Sequence, residues 1–397
     1  MTAERIVYMD HSATTAADPA VVEAMIPWFS KGYGNPSSLY RIARESSKAV
    51  NEARVKVATA LGASPDEIYF TSGGTESDNW AIKGVAYANW KKGNHIITSA
   101  IEHHAVLYTV EHLEKQGFEI TYLPVDETGQ IRIDDLKAAI TDKTIIVSIM
   151  FANNEIGTIE PVAEIGKVCR ERWIYFHTDA VQAIGNVPID VQALQVDLLS
   201  LSAHKFYGPK GIGALYIRKG VHIDNFLHGG GQERRRRAGT ENVASIVGLG
   251  CAIEMVMSGM TERNKRVKAL RDRLLTAIMK KIPNTRLNGH PENRLPGNLN
   301  VSFDFIEGES ILLLLDHFGI CASTGSACTS GTLEPSHVLL ALGLPAETAH
   351  GSLRLTLGME NTDQDVDYVL ENLQKIVQRL REMSPLYADH VKRSKNV

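Results

Sequence analysis

Apolar runs and amphipathic stretches alternate along most of the chain. The runs at 68–70, 95–99, 120–123, 144–150, 174–177, 198–202 and 214–217 are short and rich in Ile, Val, Leu and Phe. Little in them alternates with polar residues, so they read as strands buried on both faces. Helical patterns lie between most of them. That rhythm predicts a wound α/β sheet, mostly parallel, with helices on both faces. Ahead of it come a short strand at 6–9 and a helix begun by Asp18-Pro19, with Pro at the first helical position. A Gly/Pro/Ser loop at 32–38 and a charged amphipathic helix at 43–61 follow. After Gly248 the pattern becomes one long helix through Val256 and Met257, then a charged helix over 261–281. The last third changes character: a strand at 299–303, a helix at 309–318, a Gly/Ser-rich loop, a strand at 353–357, a helix at 363–383 and a polar tail at 389–397. A boundary near Gly259 is expected, between a large domain (16–259) and a smaller α+β domain (260–397), with residues 1–15 joining them.

Composition narrows this picture. At 397 residues two domains are the prior expectation. Lys and Arg number 42 against 46 Asp and Glu, a net charge of −4 that argues against nucleic acid or an anionic membrane surface as partner. The longest aliphatic run, 311–315, ends at Asp316, so no membrane span is expected. No basic segment followed by an apolar one opens the chain, and Cys169, Cys251, Cys321 and Cys328 form no C-x-x-C pair. A cytoplasmic protein with reduced thiols is therefore expected.

Candidate chemistry collects where strands end. Thr71-Ser72-Gly73-Gly74-Thr75-Glu76-Ser77 follows one strand and opens a helix, placing amides and the helix dipole where an anion can sit. A capped turn is the plainer reading of it. Glu102-His103-His104, Asn153-Asn154-Glu155 and Asp179 stand after three further strands, and Ser202-Ala203-His204-Lys205 after another. In a parallel sheet, carboxyl ends of strands line one crevice. A phosphate cup, a flat His, a carboxylate and an amine suit pyridoxal phosphate: the carboxylate keeps the pyridine nitrogen protonated and the lysine forms the imine.

The order of these motifs resembles the NifS/IscS-type cysteine desulfurases of the class-V aminotransferase group. The likeness runs through Ala13-Thr14-Thr15, Gly34-Asn35-Pro36-Ser37-Ser38, Gly74-Thr75-Glu76-Ser77, Glu102-His103 and Asn153-Asn154-Glu155. It continues through His177 to Gln182, Ser202 to Lys205, Arg237 to Asn242, and Gly325 to Gly331. It implies a fold-type-I pyridoxal-phosphate enzyme. Lys205 would hold the cofactor, Asp179 pair with the ring nitrogen, His103 stack on the ring, and Gln182 and Asn153 bond its substituents. Gly74, Thr75, Ser202 and His204 would cradle the phosphate. Thr240 would reach the phosphate of a second subunit, which implies a homodimer. Arg354, on the polar face of its strand, would hold the substrate carboxylate with help from Asn35. Where the family usually has Asn before Ala-Thr-Thr, this chain has His11-Ser12, and His104 stands where Pro is common.

Cys328 decides the reaction. Cys169, Cys251 and Cys321 sit among apolar positions and are expected in the core. Cys328 lies among small polar residues from Ser323 to Thr332, the setting of a working thiol. The resemblance implies removal of sulfur from L-cysteine, giving L-alanine and a Cys328 persulfide. Lys205 would shuttle the α-proton, and His103, with its pKa near working pH, would give and take protons. The persulfide would pass to an iron–sulfur scaffold protein of the NifU/IscU kind. No intrinsic metal site is implied, although Cys328 could ligate a cluster transiently during transfer. Arg234-Arg235-Arg236-Arg237, between glycine clusters, reads as a loop, and a solvated charge run or basic docking patch competes for its first three members. The rival readings are a selenocysteine lyase or an aminotransferase on the same fold, the aminotransferase having no need of Cys328 in a mobile loop, and a non-catalytic sulfur carrier or iron–sulfur scaffold, which would want clustered cysteines.

Overall fold

The computed structural model describes residues 5–325 and 334–394. Its centre is a seven-stranded sheet. In chain order the strands are β1 (Ile68–Thr71), β2 (His95–Ser99), β3 (Glu119–Leu123), β4 (Thr144–Ser148), β5 (Tyr175–Asp179), β6 (Leu198–Ser202) and β7 (Gly213–Ile217), arranged in space as β1-β7-β6-β5-β4-β2-β3. All neighbours run parallel except β7, which is antiparallel to both β1 and β6. The central strands β4 and β6 are buried at every position, as strands covered on both faces must be. Two apolar clusters flank the sheet. One includes Val57, Val147, Phe176, Leu201 and Ile253, and the other Trp80, Ile96, Val106, Ile146 and Leu215.

Element ends follow local chemistry. Asp18 accepts the Ala20 amide at 2.8 Å and starts the helix Pro19–Met25. The helix Arg41–Leu61 stops at Gly62, whose φ of +68° is a left-handed cap that glycine takes without strain. Two sequence expectations shift. The strand expected at 174–177 runs on to Asp179, still paired with Ser200. The polar tail expected from 389 is instead a helix, Pro385–Ser394, held where Tyr387 and His390 lie against the Phe305 ring at 5.7 and 4.7 Å.

A third apolar cluster gathers Val7 and Met9 with Leu274, Val301, Leu355 and Val369. It packs around an antiparallel sheet of Thr285–Asn288, Asn298–Phe303 and Ser352–Thr356, beside a parallel pair made by Val7–Tyr8 and Ile320–Cys321. The helices Val243–Ser258 and Met260–Lys281 meet at Gly259 with a 74° bend. No single helix among the described residues is long and apolar enough to cross a membrane.

Candidate active site

Parallel strands deliver their carboxyl ends to one edge of the sheet, and a cavity of about 220 Å³ opens there. Gly74, Thr75, His103, Asp179, Gln182, Ser202, His204, Lys205 and Arg354 all line it. The short turn Ala203–Lys205 follows β6 directly and swings the lysine over the cavity. Its Nζ donates to the carbonyls of Ser12 at 2.5 Å and Ala13 at 2.8 Å. The Ser12 carbonyl also accepts from Gln182 Nε2 at 3.0 Å. Thus the segment preceding Ala-Thr-Thr acts through its backbone, a contribution no side-chain motif announces. The His11 side chain points elsewhere, to the Thr356 carbonyl at 2.7 Å and the Glu360 carboxylate at 2.9 Å.

The phosphate-cup expectation rests on the helix Gly74–Asn89. Gly73 precedes it at a φ of +150°, a region that side chains rarely adopt. A Cβ on Gly74 would stand 2.7 Å from Val181 Cγ2. The cradle is therefore shaped for glycine, with first-turn amides exposed to whatever anion enters. Glu76 closes its outer side by accepting from the Ser72 amide at 2.7 Å and from Arg237 at 2.7 and 2.9 Å.

Burial dominates the electrostatics. It pushes Asp179 up to about 6 against the opposing pull of the Val181 amide, 2.9 Å from Oδ1, and of the Lys205 charge. His103 is pushed down to about 4 by burial, then by Lys205 and the neighbouring His104 and His337. Its Nδ1 accepts the Ala105 amide at 3.1 Å, so the single proton of the neutral ring sits on Nε2. The expectation that His103 titrates near working pH is corrected accordingly: at neutral pH it is an uncharged ring that caps the helix His104–Glu114. His204 is likewise held down to about 4 by burial and by Lys205. Glu102, fully buried beside His103, is pushed up to about 8.

Other expected site residues lie apart from the cavity wall. Asn153 spends its side chain on its own turn: Nδ2 donates to the Ile101 carbonyl, while Oδ1 accepts the Glu155 and Ile156 amides at 2.8 and 3.0 Å. The asparagine at the cavity is Asn154. Asn35 caps the Ser37 amide at 3.0 Å and is absent from the lining. Thr240 is exposed on the loop after Arg237. Arg354, 1% exposed, donates to Asp10 at 2.8 Å and to the Asn154 carbonyl at 3.3 Å, and its Nε has no partner. Cys169 is buried, whereas Cys251 and Cys321, expected in the core, are only half-buried; burial raises all three thiols. Cys328 lies outside the described residues. Sequence reasoning also missed Asp78, Asp10 and Ser12. Asp78 had one signal, a carboxylate one helical turn beyond Gly74.

The arginine run is exposed at Arg234 and Arg235 and half-buried at Arg236 and Arg237, but its backbone is anchored from within. Glu233, Arg234 and Arg235 all have left-handed backbone, with φ of 44°, 56° and 66°. A buried two-pronged pair holds them: Glu233 meets Arg54 through two contacts of 2.8 Å and accepts the Phe70 amide at 3.0 Å. Arg234 donates to the Ile68 carbonyl at 2.7 Å and lies 4.3 Å over the Tyr69 ring.

The family model for aminotransferase class-V matches residues 7–369. The chain belongs to the class-V aminotransferase family. Within it, the chain is 63% identical over 388 residues to the cysteine desulfurase IscS of Clostridium botulinum, covering 97% of this chain and 98% of that one. It is 64% identical over 385 residues to the cysteine desulfurase IscS of Methanosarcina thermophila, covering 97% and 95%. A solved NifS-like protein, 42% identical, superposes with a TM-score of 0.90 over 95% of this chain and all of that one (100%). The chain therefore falls among the cysteine desulfurases, pyridoxal-phosphate enzymes of mixed α/β fold.

Proposed function

We propose that the protein removes sulfur from L-cysteine with pyridoxal phosphate in the cavity above β5 and β6, leaving L-alanine and a persulfide on Cys328. One observation carries this reading: Lys205, Asp179, His103 and the Gly74 cradle converge on a single cavity. The donor set fits the cofactor. The glycine cradle leaves no room for a Cβ, the helix start offers amides to a phosphate, and a buried carboxylate faces the amine across the cavity. Bound there, pyridoxal phosphate supplies a carbonyl for amine linkage and a protonated ring that draws electrons from the substrate.

The chain's own residues do the rest. Asp179 would hold the ring nitrogen, and the Lys205 amine would move the proton at the substrate's Cα. Gly74, Thr75, Ser202 and His204 bind the phosphate, and Thr240 reaches that of a second subunit in a homodimer. His103 lies against the ring as a neutral group and offers its Nε2 proton. Gln182 and Asn154, rather than Asn153, stand where ring substituents would be bonded. Arg354 takes the substrate carboxylate with its unpartnered Nε, helped by Asn35. The Cys328 thiolate attacks the substrate sulfur, a sulfur–sulfur bond forms, and the electron pair of the broken carbon–sulfur bond stays on the substrate's β-carbon, which takes a proton to become alanine's methyl group. The persulfide then passes to an iron–sulfur scaffold protein of the NifU/IscU kind in the cytoplasm. Residues 260–397 form a separate smaller domain that brings Arg354 to the large one.

Purified protein given L-cysteine should release alanine, and Lys205→Ala should release none. Wild-type rates of alanine release from Lys205→Ala or from Cys328→Ala would refute the proposal.

A further inference from the structure

A second carboxyl shares the cavity with Asp179. Asp78 stands on the helix Gly74–Asn89, 1% exposed, and forms part of the cavity wall. Its Oδ1 is buried without a hydrogen-bond partner, 3.6 Å from His177 Nε2. His177 is fully buried on β5 and held at both nitrogens, Nδ1 by Ser148 Oγ at 2.8 Å and Nε2 by Ser200 Oγ at 3.0 Å.

A buried carboxylate needs a cation or several donors. Asp78 has neither. Of the groups that face it, Asp179 at the end of β5 and Glu102 after β2 are acidic, and His177 is neutral because burial pushes it down to about 3. Ser200 on β6 is a hydroxyl. The Lys205 ammonium donates to the Ser12 and Ala13 carbonyls, and its charge acts on Asp179. Two buried carboxyls that repel one another do not readily both ionise. Asp179 has an amide donor and a nearby cation, so the negative charge settles there. Asp78, pushed well above the usual carboxylate range by burial and by the Asp179 charge, keeps its proton.

We propose that Asp78 is a positioning residue for Asp179: as a neutral acid it leaves one negative charge in the pair and confines it to the carboxylate that faces the ring nitrogen. This rests on the reading of Asp179 as the ring partner. An amide has nearly the shape and hydrogen-bonding capacity of a neutral acid, so Asp78→Asn should be nearly silent, whereas Asp78→Ala opens a hole beside Asp179.

The test has two arms. In difference infrared spectra of the holoprotein at pH 7, wild type minus Asp78→Asn should show the carbonyl stretch of one protonated carboxylic acid. A carboxylate band in its place would overturn the proposal. In the second arm, apoprotein is titrated with pyridoxal phosphate and the visible band of the lysine-linked cofactor is followed against pH. Asp78→Asn should match wild type within about threefold in affinity, with the band titrating at an unchanged pH, while Asp78→Ala binds about tenfold more weakly. Asn as weak as Ala, or a shifted titration in Asn, overturns the proposal, because a neutral amide in place of a neutral acid leaves the charge of the pair unchanged. If wild type bound no cofactor, the functional reading would fail, and the same infrared difference taken on the protein as isolated would still decide the state of Asp78.

Discussion

Gly74→Ala probes the cradle with a single methyl group. The new Cβ would stand 2.7 Å from Val181 Cγ2 and 3.7 Å from Ser202 Cβ. The first distance is about 1 Å inside ordinary carbon–carbon contact. Val181 is β-branched and has no flexible end with which to retreat. Its backbone amide is also the donor that fixes Asp179 Oδ1 at 2.9 Å. Relief of the clash therefore moves the cradle and the ring partner together. Overpacking of this kind costs about 1–3 kcal/mol, which is roughly a 5- to 150-fold loss of pyridoxal phosphate affinity if it is felt in the bound state. The clash is present without the cofactor too, so global stability should fall by no more than about the same 1–3 kcal/mol. The assay is equilibrium titration of apoprotein, with urea unfolding run in parallel. Gly74→Ala/Val181→Ala removes the clashing methyl and should recover most of the affinity. Wild-type affinity in the single variant, or no recovery in the double, would refute the reasoning.

Other substitutions probe separate parts of the account. Glu102 Oε1 accepts from Ser99 at 2.6 Å and from the Met150 amide at 3.0 Å, while Oε2 is buried without a partner, so Glu102→Gln keeps both bonds. Because Glu102 titrates at about 8 when folded and near 4.5 when unfolded, the folded state binds the extra proton between those values and stability is lost as pH rises through them. Urea midpoints should accordingly place Glu102→Gln above wild type at pH 8 and level with it at pH 5. Glu233→Gln strands the buried Arg54 charge and should cost about 3–5 kcal/mol by chemical denaturation at neutral pH. Arg354→Lys loses planar two-point recognition and should raise KM for L-cysteine about tenfold with a smaller change in kcat.

The sheet was legible because its strands are buried on both faces. The runs at 95–99 and 198–202 coincide with β2 and β6 residue for residue, and apart from His95 they hold only Ile, Thr, Leu and Ser. The cavity was legible for a related reason: Thr75, His103, Asp179 and Lys205 all follow strand ends, and parallel strands bring such ends together. Neighbouring side chains were harder to assign. Of the paired asparagines, local hydrogen bonding consumes Asn153 and leaves Asn154 at the cavity, and no periodicity distinguishes the two. Asp78 hides inside a helix as one more polar position. Arg54 and Glu233 are 179 residues apart, so the pair that forces a left-handed turn on the arginine run has no local signature. The Pro385–Ser394 helix looked like a tail because its partner, Phe305, is distant in sequence.

The most direct test of the account is the fate of the substrate sulfur. Holoprotein is mixed with L-cysteine, quenched with alkylating reagent, digested and examined by mass spectrometry for each cysteine-containing peptide. The account predicts one added sulfur on Cys328, none on Cys169, Cys251 or Cys321, and alanine in equal amount, with no persulfide in Cys328→Ala. Persulfide on another cysteine, or alanine formed at the wild-type rate without Cys328, would contradict it.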